Sequence, residues 1–253
     1  MKVIAVANEK GGAGKTSTAL ALWAYMNANG RPCLGIDLDP QGNFSTVAEA
    51  ETKGATALGV LMREIPAADA IQHVKSGDVI AASPLQNRAD NLLTMLGKER
   101  RLAEALATVA GGYEYAIVDT SPHLGILTIN ALAAADYVLI PAQADMFSNQ
   151  GITQLWETIE AVRQYAQNPT LQVDGILLTR FTDRTRISQT VRGIMEKTAA
   201  NMGGRVYRST IREAVTVKEA QLYHQSIFEY DPAAKVAGDY TEFCKEFLEG
   251  IES

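Results

Sequence analysis

The sequence predicts a doubly wound α/β fold, a mostly parallel sheet with helices on both faces. Three observations predict it. Short apolar runs alternate with stretches of helical apolar spacing along all 253 residues. The first run passes through a glycine-rich turn straight into a helix. Two of the runs end in aspartate, which sets acids at the carboxyl edge of a parallel sheet. At this length the chain is one large α/β domain or two small ones, and the continuous alternation favours a single domain over residues 1–253.

The first element is the run Val3 to Ala7, which reads as a buried parallel strand. Thr18 to Met26 has helical spacing. Between them lies Ala7-Asn8-Glu9-Lys10-Gly11-Gly12-Ala13-Gly14-Lys15-Thr16-Ser17. Strand, glycine-rich turn and helix start, in that order, form the context of a phosphate loop. Gly11, Gly12 and Gly14 lack Cβ, so the backbone can curl with its N–H groups around an anion. The helix start adds unpaired N–H groups and the positive end of a dipole. Lys15 can reach the β- and γ-phosphates, and the Thr16 hydroxyl can ligate Mg²⁺. The loop departs from the general G-x-x-x-x-G-K-[ST] pattern, because Glu9 occupies the first glycine position and a second lysine, Lys10, follows. Lys10 is poorly placed for its own nucleotide. It can instead reach a neighbouring subunit's phosphates, as an arginine finger does in trans.

Asn29-Gly30 stops the first helix, and Cys33 to Ile36 is the second strand. It runs into Asp37-Leu38-Asp39-Pro40-Gln41-Gly42-Asn43, a loop beside the phosphate loop. Asp39 is a candidate to orient the attacking water or hold a metal-bound water, with turn capping as the simpler role. Residues 48–78 are weakly patterned apart from a short helix over Ala57 to Met62. Val79 to Ala82 is a strand, and Leu92 to Ala110 reads as one helix with Lys98, Arg100 and Arg101 on its polar face. Tyr113 to Asp119 is an apolar strand ending in an acid, the arrangement that holds Mg²⁺ opposite a phosphate loop. A strand over Asp136 to Pro141, a helix over Gly151 to Ala166, a strand over Leu171 to Thr179 and a helix over Ile187 to Asn201 follow.

Composition excludes several classes. With 47% hydrophobic and 21% charged residues, the chain is an ordinary globular protein. Cys33 and Cys244 are far apart and have no metal-ligand spacing, which fits a reducing compartment. The chain starts directly with a strand, so no signal peptide is expected, and no apolar run has the length of a membrane span. The net charge of −6 is unevenly spread. From Arg180 to Lys218 nine basic residues face three acidic ones, so that segment is +6 and the remainder −12. Such asymmetry can carry a nucleic-acid footprint within an acidic protein.

The loop Lys10 to Thr16 resembles the deviant Walker A loop, K-G-G-x-G-K-T, of the ParA/MinD family of ATPases. Asp37 to Asn43 is similar to that family's second nucleotide motif, and Asp119 to Gly125 to its D-x-P-P-x-L-G segment, with Ser121 in place of the first proline. The resemblance runs from Lys2 to about Leu248 and is greatest to the short ParA/Soj type. It implies an ATPase with ATP and Mg²⁺ as cofactors and Lys10, Lys15 and Asp39 as catalytic residues. Gly11, Gly12, Ala13, Gly14, Lys15, Thr16 and Ser17 would hold phosphates. Ile211 and Arg212 belong to a stretch resembling the loop that covers the adenine, where many members carry proline in place of Arg212. Thr16, Asp39 and Asp119 would hold the metal. The resemblance further implies a homodimer on ATP binding, with Lys10 crossing the interface, and non-specific double-stranded DNA as a partner. A ParB-like centromere-binding protein would stimulate hydrolysis. Arg184 matches a DNA-binding position, whereas Thr216 stands where a second arginine is expected. Arg186, Arg212 and Lys218 are therefore the further DNA candidates. The implied location is the cytoplasm, on the nucleoid in the ATP state.

Three rivals follow from the same residues. One keeps the ATPase switch and positions a protein cargo. A MinD-like membrane organiser needs a basic amphipathic C-terminal helix, and the segment from Glu242 to Ser253 is acidic. An iron–sulfur reductase needs cysteines after the strand that ends at Asp119, and neither cysteine is so placed.

Overall fold

The computed structural model describes residues 1–182 and 186–252. The strands are β1 (Lys2–Val6), β2 (Cys33–Asp37), β3 (Ile71–Val74), β4 (Gly77–Ile80), β5 (Tyr115–Asp119), β6 (Tyr137–Gln143), β7 (Gln172–Thr179) and β8 (Arg205–Ile211). The helices are α1 (Lys15–Ala28), α2 (Asn43–Val47), α3 (Ala57–Leu61), α4 (Ala67–Ala70), α5 (Ala89–Leu92), α6 (Arg101–Ala107), α7 (Ile126–Ala134), α8 (Met146–Tyr165), α9 (Arg186–Asn201), α10 (Val215–Leu222), α11 (Ile227–Tyr230) and α12 (Lys235–Glu252).

Among the described residues these strands form one sheet in the order β3-β4-β2-β5-β1-β6-β7-β8. Only the β3–β4 edge pair is antiparallel. The alternation of side chains along each strand divides the core in two. Val3, Ala5, Leu34, Ile36, Ala116 and Val118 face the layer that includes α7 and α8. Ile4, Val6, Cys33, Tyr115 and Ile117 face the layer that includes α1 and α12. Burial on both faces is what a near-continuous apolar strand requires.

The register sets the site. Val6 and Asp37 both lie opposite Asp119, so β1, β2 and β5 end level with one another. The chain passes from β1 to β2 on one side and later crosses from β5 over β1 to β6 on the other, and the crevice at that switch point is where ligands bind such sheets.

The sequence reading departs from the structure in four places. The stretch Leu92 to Ala110 is not one helix. Gly97 takes a left-handed φ of 73°, separating α5 from a 3₁₀ turn over Lys98–Arg100 and α6. Arg101, expected on a polar face, is buried. The edge strand β3 was illegible in its weakly patterned surroundings, and β8 carries too many polar residues, Arg205, Arg208, Ser209 and Thr210, to read as a buried run. Finally, the stretch after Ile211 is a loop only over residues 212–214, after which α10 begins.

Candidate functional site: a nucleotide cleft at the carboxyl edge

One cleft of about 530 Å³ opens at the ends of β1 and β2. Its lining includes Gly11, Gly12, Gly14, Lys15, Thr16 and Ser17 from the glycine-rich loop. Asp39, Ile211, Arg212 and Lys218 also reach it from distant parts of the chain.

The loop is built for an anion. Gly14 has φ 89°, a conformation that L side chains rarely adopt. An added Cβ there would also lie 3.3 Å from Thr179 Cγ2. The loop carbonyls are held by side chains: Thr179 Oγ1 donates to Ala13 O (2.8 Å), Gln143 Nε2 to Gly12 O (2.8 Å) and Lys15 Nζ to Lys10 O (3.2 Å). No side chain caps the N-terminus of α1, and no acid sits in its first turn. Its first N–H groups and its dipole are thus available to a phosphate.

Three aspartates gather behind the loop. Asp39 is almost buried, and its Oδ1 accepts from Gln41 N at 3.0 Å. Asp37 is fully buried and raised to about 6, chiefly by burial. Hydrogen bonds from Ser45 Oγ (2.7 Å), Ser45 N (2.8 Å) and Asp39 N (3.0 Å) oppose that shift. Asp119 is fully buried, and neither of its oxygens has a well-formed hydrogen bond. Burial, then the neighbouring Asp37, pushes its carboxyl well above the usual range, although the Thr16 hydroxyl and Lys15 favour the charged form. A buried carboxylate without donors is costly unless a cation joins it. Burial also lowers Lys15, with Asp119 and Asp39 holding it up.

This donor set fits magnesium. Mg²⁺ is usually held by one or two protein oxygens, with waters and phosphates completing the octahedron. Thr16, Asp119 and Asp39 would supply that kind of partial shell. Among the described residues no cluster of three His, Cys, Asp or Glu forms an all-protein cage.

Several expected residues stand elsewhere or are otherwise engaged. Lys10 is tied within its own chain: its ammonium pairs with Asp145 and lies 3.4 Å from Ser148 Oγ. Arg212, expected on adenine or DNA, gives its guanidinium to Asp239 through two hydrogen bonds of 2.6 and 2.7 Å. That pair occupies Nε and Nη2 of the guanidinium, and the side chain stays 48% exposed. Lys218 lines the nucleotide cleft. Arg186 opens α9 and is exposed, while Arg184 lies outside the described residues. The basic segment is also less positive than its sequence suggests. Arg205, Arg208 and Arg212 pair with Asp174, Glu246 and Asp239, acids that lie outside the segment.

Sequence reasoning missed Thr179, Gln143, Gln221 and Tyr240. Gln221 Nε2 donates to Ser17 Oγ at 3.0 Å, and Tyr240 is buried at the cleft. None belongs to a local motif, so no short-range signal marks them.

The fold and cleft define a P-loop nucleoside triphosphatase. A family profile described as an AAA domain matches residues 1–173. The chromosome partitioning protein ParA of Caulobacter vibrioides is 36% identical over 255 residues, covering 98% of this chain and 94% of its own length. The sporulation initiation inhibitor protein Soj of Bacillus subtilis is 34% identical over 251 residues, 97% of each chain. Among solved structures, cobyrinic acid a,c-diamide synthase of Mycobacterium smegmatis, with bound ADP and magnesium, matches with TM-score 0.84 and 29% identity. That match covers 100% of this chain and 96% of the other. The chain belongs to the ParA/Soj family of chromosome-partitioning ATPases.

Proposed function

We propose that this chain is the nucleotide-switched ATPase of a DNA-partition system and that it acts as one ATPase domain. The observation that carries the nucleotide reading is the pairing of an uncapped phosphate-loop helix with Asp119, fully buried and without a well-formed hydrogen bond. Lys15 holds the β- and γ-phosphates, and the amides from Gly11 to Ser17 cradle them. Thr16, Asp119 and Asp39 would hold magnesium, which would supply charge neutralisation on the phosphate oxygens. Asp39 orients the attacking water. Ile211 and its neighbours cover the base.

In this reading two subunits close face to face on Mg-ATP, and each Lys10 leaves Asp145 to reach its partner's phosphates. The closed dimer binds double-stranded DNA non-specifically through cations such as Arg184 and the exposed Arg186. A ParB-like partner stimulates hydrolysis and releases the DNA, so the protein cycles between the cytoplasm and the nucleoid. A membrane role has less support. Among the described residues no helix is long and apolar enough to cross a membrane. The apolar face of α12, including Phe243, Phe247, Leu248 and Ile251, is already buried in the core. Its end is pinned by Arg31 to Glu252 and by Tyr115 Oη donating to Glu252 Oε1 at 2.6 Å.

The test is binding to random-sequence duplex DNA with ATP and with ADP, using Asp39→Ala to trap the ATP state. Binding that needs ATP, weakens steeply with salt and fails in Arg184→Ala supports the reading. Absence of binding in both states, with ATP-dependent dimers intact, sinks the DNA part of it.

A further inference from the structure

The wall of the cleft over residues 211–217 is held at three points. Phe181 N donates to Ile211 O at 3.0 Å, and Gln221 Nε2 donates to Ser17 Oγ at 3.0 Å. The third point is Asp239. Its Oδ2 accepts from Arg212 Nε (2.6 Å) and Arg212 N (3.1 Å), and its Oδ1 from Arg212 Nη2 (2.7 Å). Two parallel N–H···O bonds to one carboxylate are the strong, orientation-fixing form of this pair.

The two partners differ in rigidity. Asp239 sits on α12, whose Phe243 and Phe247 are fully buried, and its own side chain is only 12% exposed. The next residue, Tyr240, is buried and lines the cleft. Arg212 begins the short loop over residues 212–214, which has no regular structure of its own. The loop leads from Ile211 to Val215 and Val217, apolar side chains at the cleft. Val215 is 69% exposed, so a base stacked against it would bury it.

We propose that Asp239 is a positioning residue for nucleotide binding: through Arg212 it holds the 211–217 wall where a purine base must lie. This rests on the nucleotide reading above. The phosphate end of the cleft is formed by a different part of the chain, residues 11–17. The inference therefore predicts an effect on the base end alone.

The experiment measures Mg²⁺-dependent binding of ADP and of inorganic pyrophosphate to the full chain by calorimetry. Hydrogen exchange of the segment 208–216 is followed alongside, without ligand. For Asp239→Asn the ADP dissociation constant should rise roughly two- to fivefold, while pyrophosphate is unchanged and exchange over 208–216 accelerates. Arg212→Lys, which keeps the charge and loses the fork, should fall between wild type and Asp239→Asn. Unchanged ADP affinity in Asp239→Asn overturns the inference, as does an equal loss of pyrophosphate binding or unaltered exchange. If the wild-type chain binds neither ADP nor pyrophosphate, the nucleotide reading itself fails, and the inference with it.

Discussion

The Lys10–Asp145 pair makes a quantitative prediction about dimer formation. Asp145 has two tasks. It caps α8, accepting from Ser148 N at 2.9 Å, and it holds the Lys10 ammonium. Burial pushes its carboxyl up, but the bonds from Lys10 and Ser148 outweigh this and keep it below the usual range. Asp145→Asn separates the tasks, because asparagine caps as well as aspartate but carries no charge. The two side chains are 27% and 35% exposed, so the pair is worth roughly 0.2–1 kcal/mol. If each dimer must open two such pairs, the variant avoids about 0.4–2 kcal/mol, a roughly 2- to 30-fold tighter dimer. The assay is sedimentation equilibrium in Mg-ATP on an Asp39→Ala background, at low salt and at about 0.5 M, where screening should shrink the difference. A dimer that is unchanged or weaker, with an unaltered melting temperature, refutes the reasoning. It would mean that Asp145 aims Lys10 at the interface instead of withholding it.

Three further outcomes are expected. Asp119→Asn removes a buried acid whose charged form burial disfavours, so the ligand-free chain should melt higher while the Mg²⁺-dependent part of the thermal shift with ADP disappears; a retained shift would place the metal elsewhere. Gly35→Ala sets a Cβ 2.7 Å from the Phe44 ring, and overpacking of this kind costs about 1–3 kcal/mol, read by urea denaturation. Because Phe44 precedes Ser45, which bonds Asp37, nucleotide affinity should fall as well. Asp174 is raised to about 6, chiefly by burial and against the pull of Arg205. A carboxyl raised above its unfolded value disfavours folding while ionised, and that cost is relieved as pH falls through about 6 toward the unfolded value. The melting temperature of Asp174→Asn relative to wild type should therefore decline between pH 7.5 and pH 5, and a constant difference would count against the shift.

The nucleotide end of the cleft was legible because its parts are local. Glycines that allow a left-handed turn, Lys15 and Thr16 at the helix start, and acids closing β2 and β5 each leave a mark within a few residues. The base end was less legible, since Ile211, Gln221 and Tyr240 meet Ser17 and the loop only through packing of β8, α10 and α12. The break at Gly97 was missed for the opposite reason. Good helical spacing on both sides of it masked a single residue with positive φ.

The sequence by itself determined the alternating architecture, the phosphate loop and the acids facing it, because backbone freedom, periodicity and strand ends are properties of short segments. Only the tertiary structure decided where the charges go. Lys10 lies on Asp145, Arg212 on Asp239, and the basic segment is partly neutralised by Asp174 and Glu246. The physical reason is range: an ion pair needs its partners within a few ångströms in space, and these partners are between 27 and 135 residues apart along the chain.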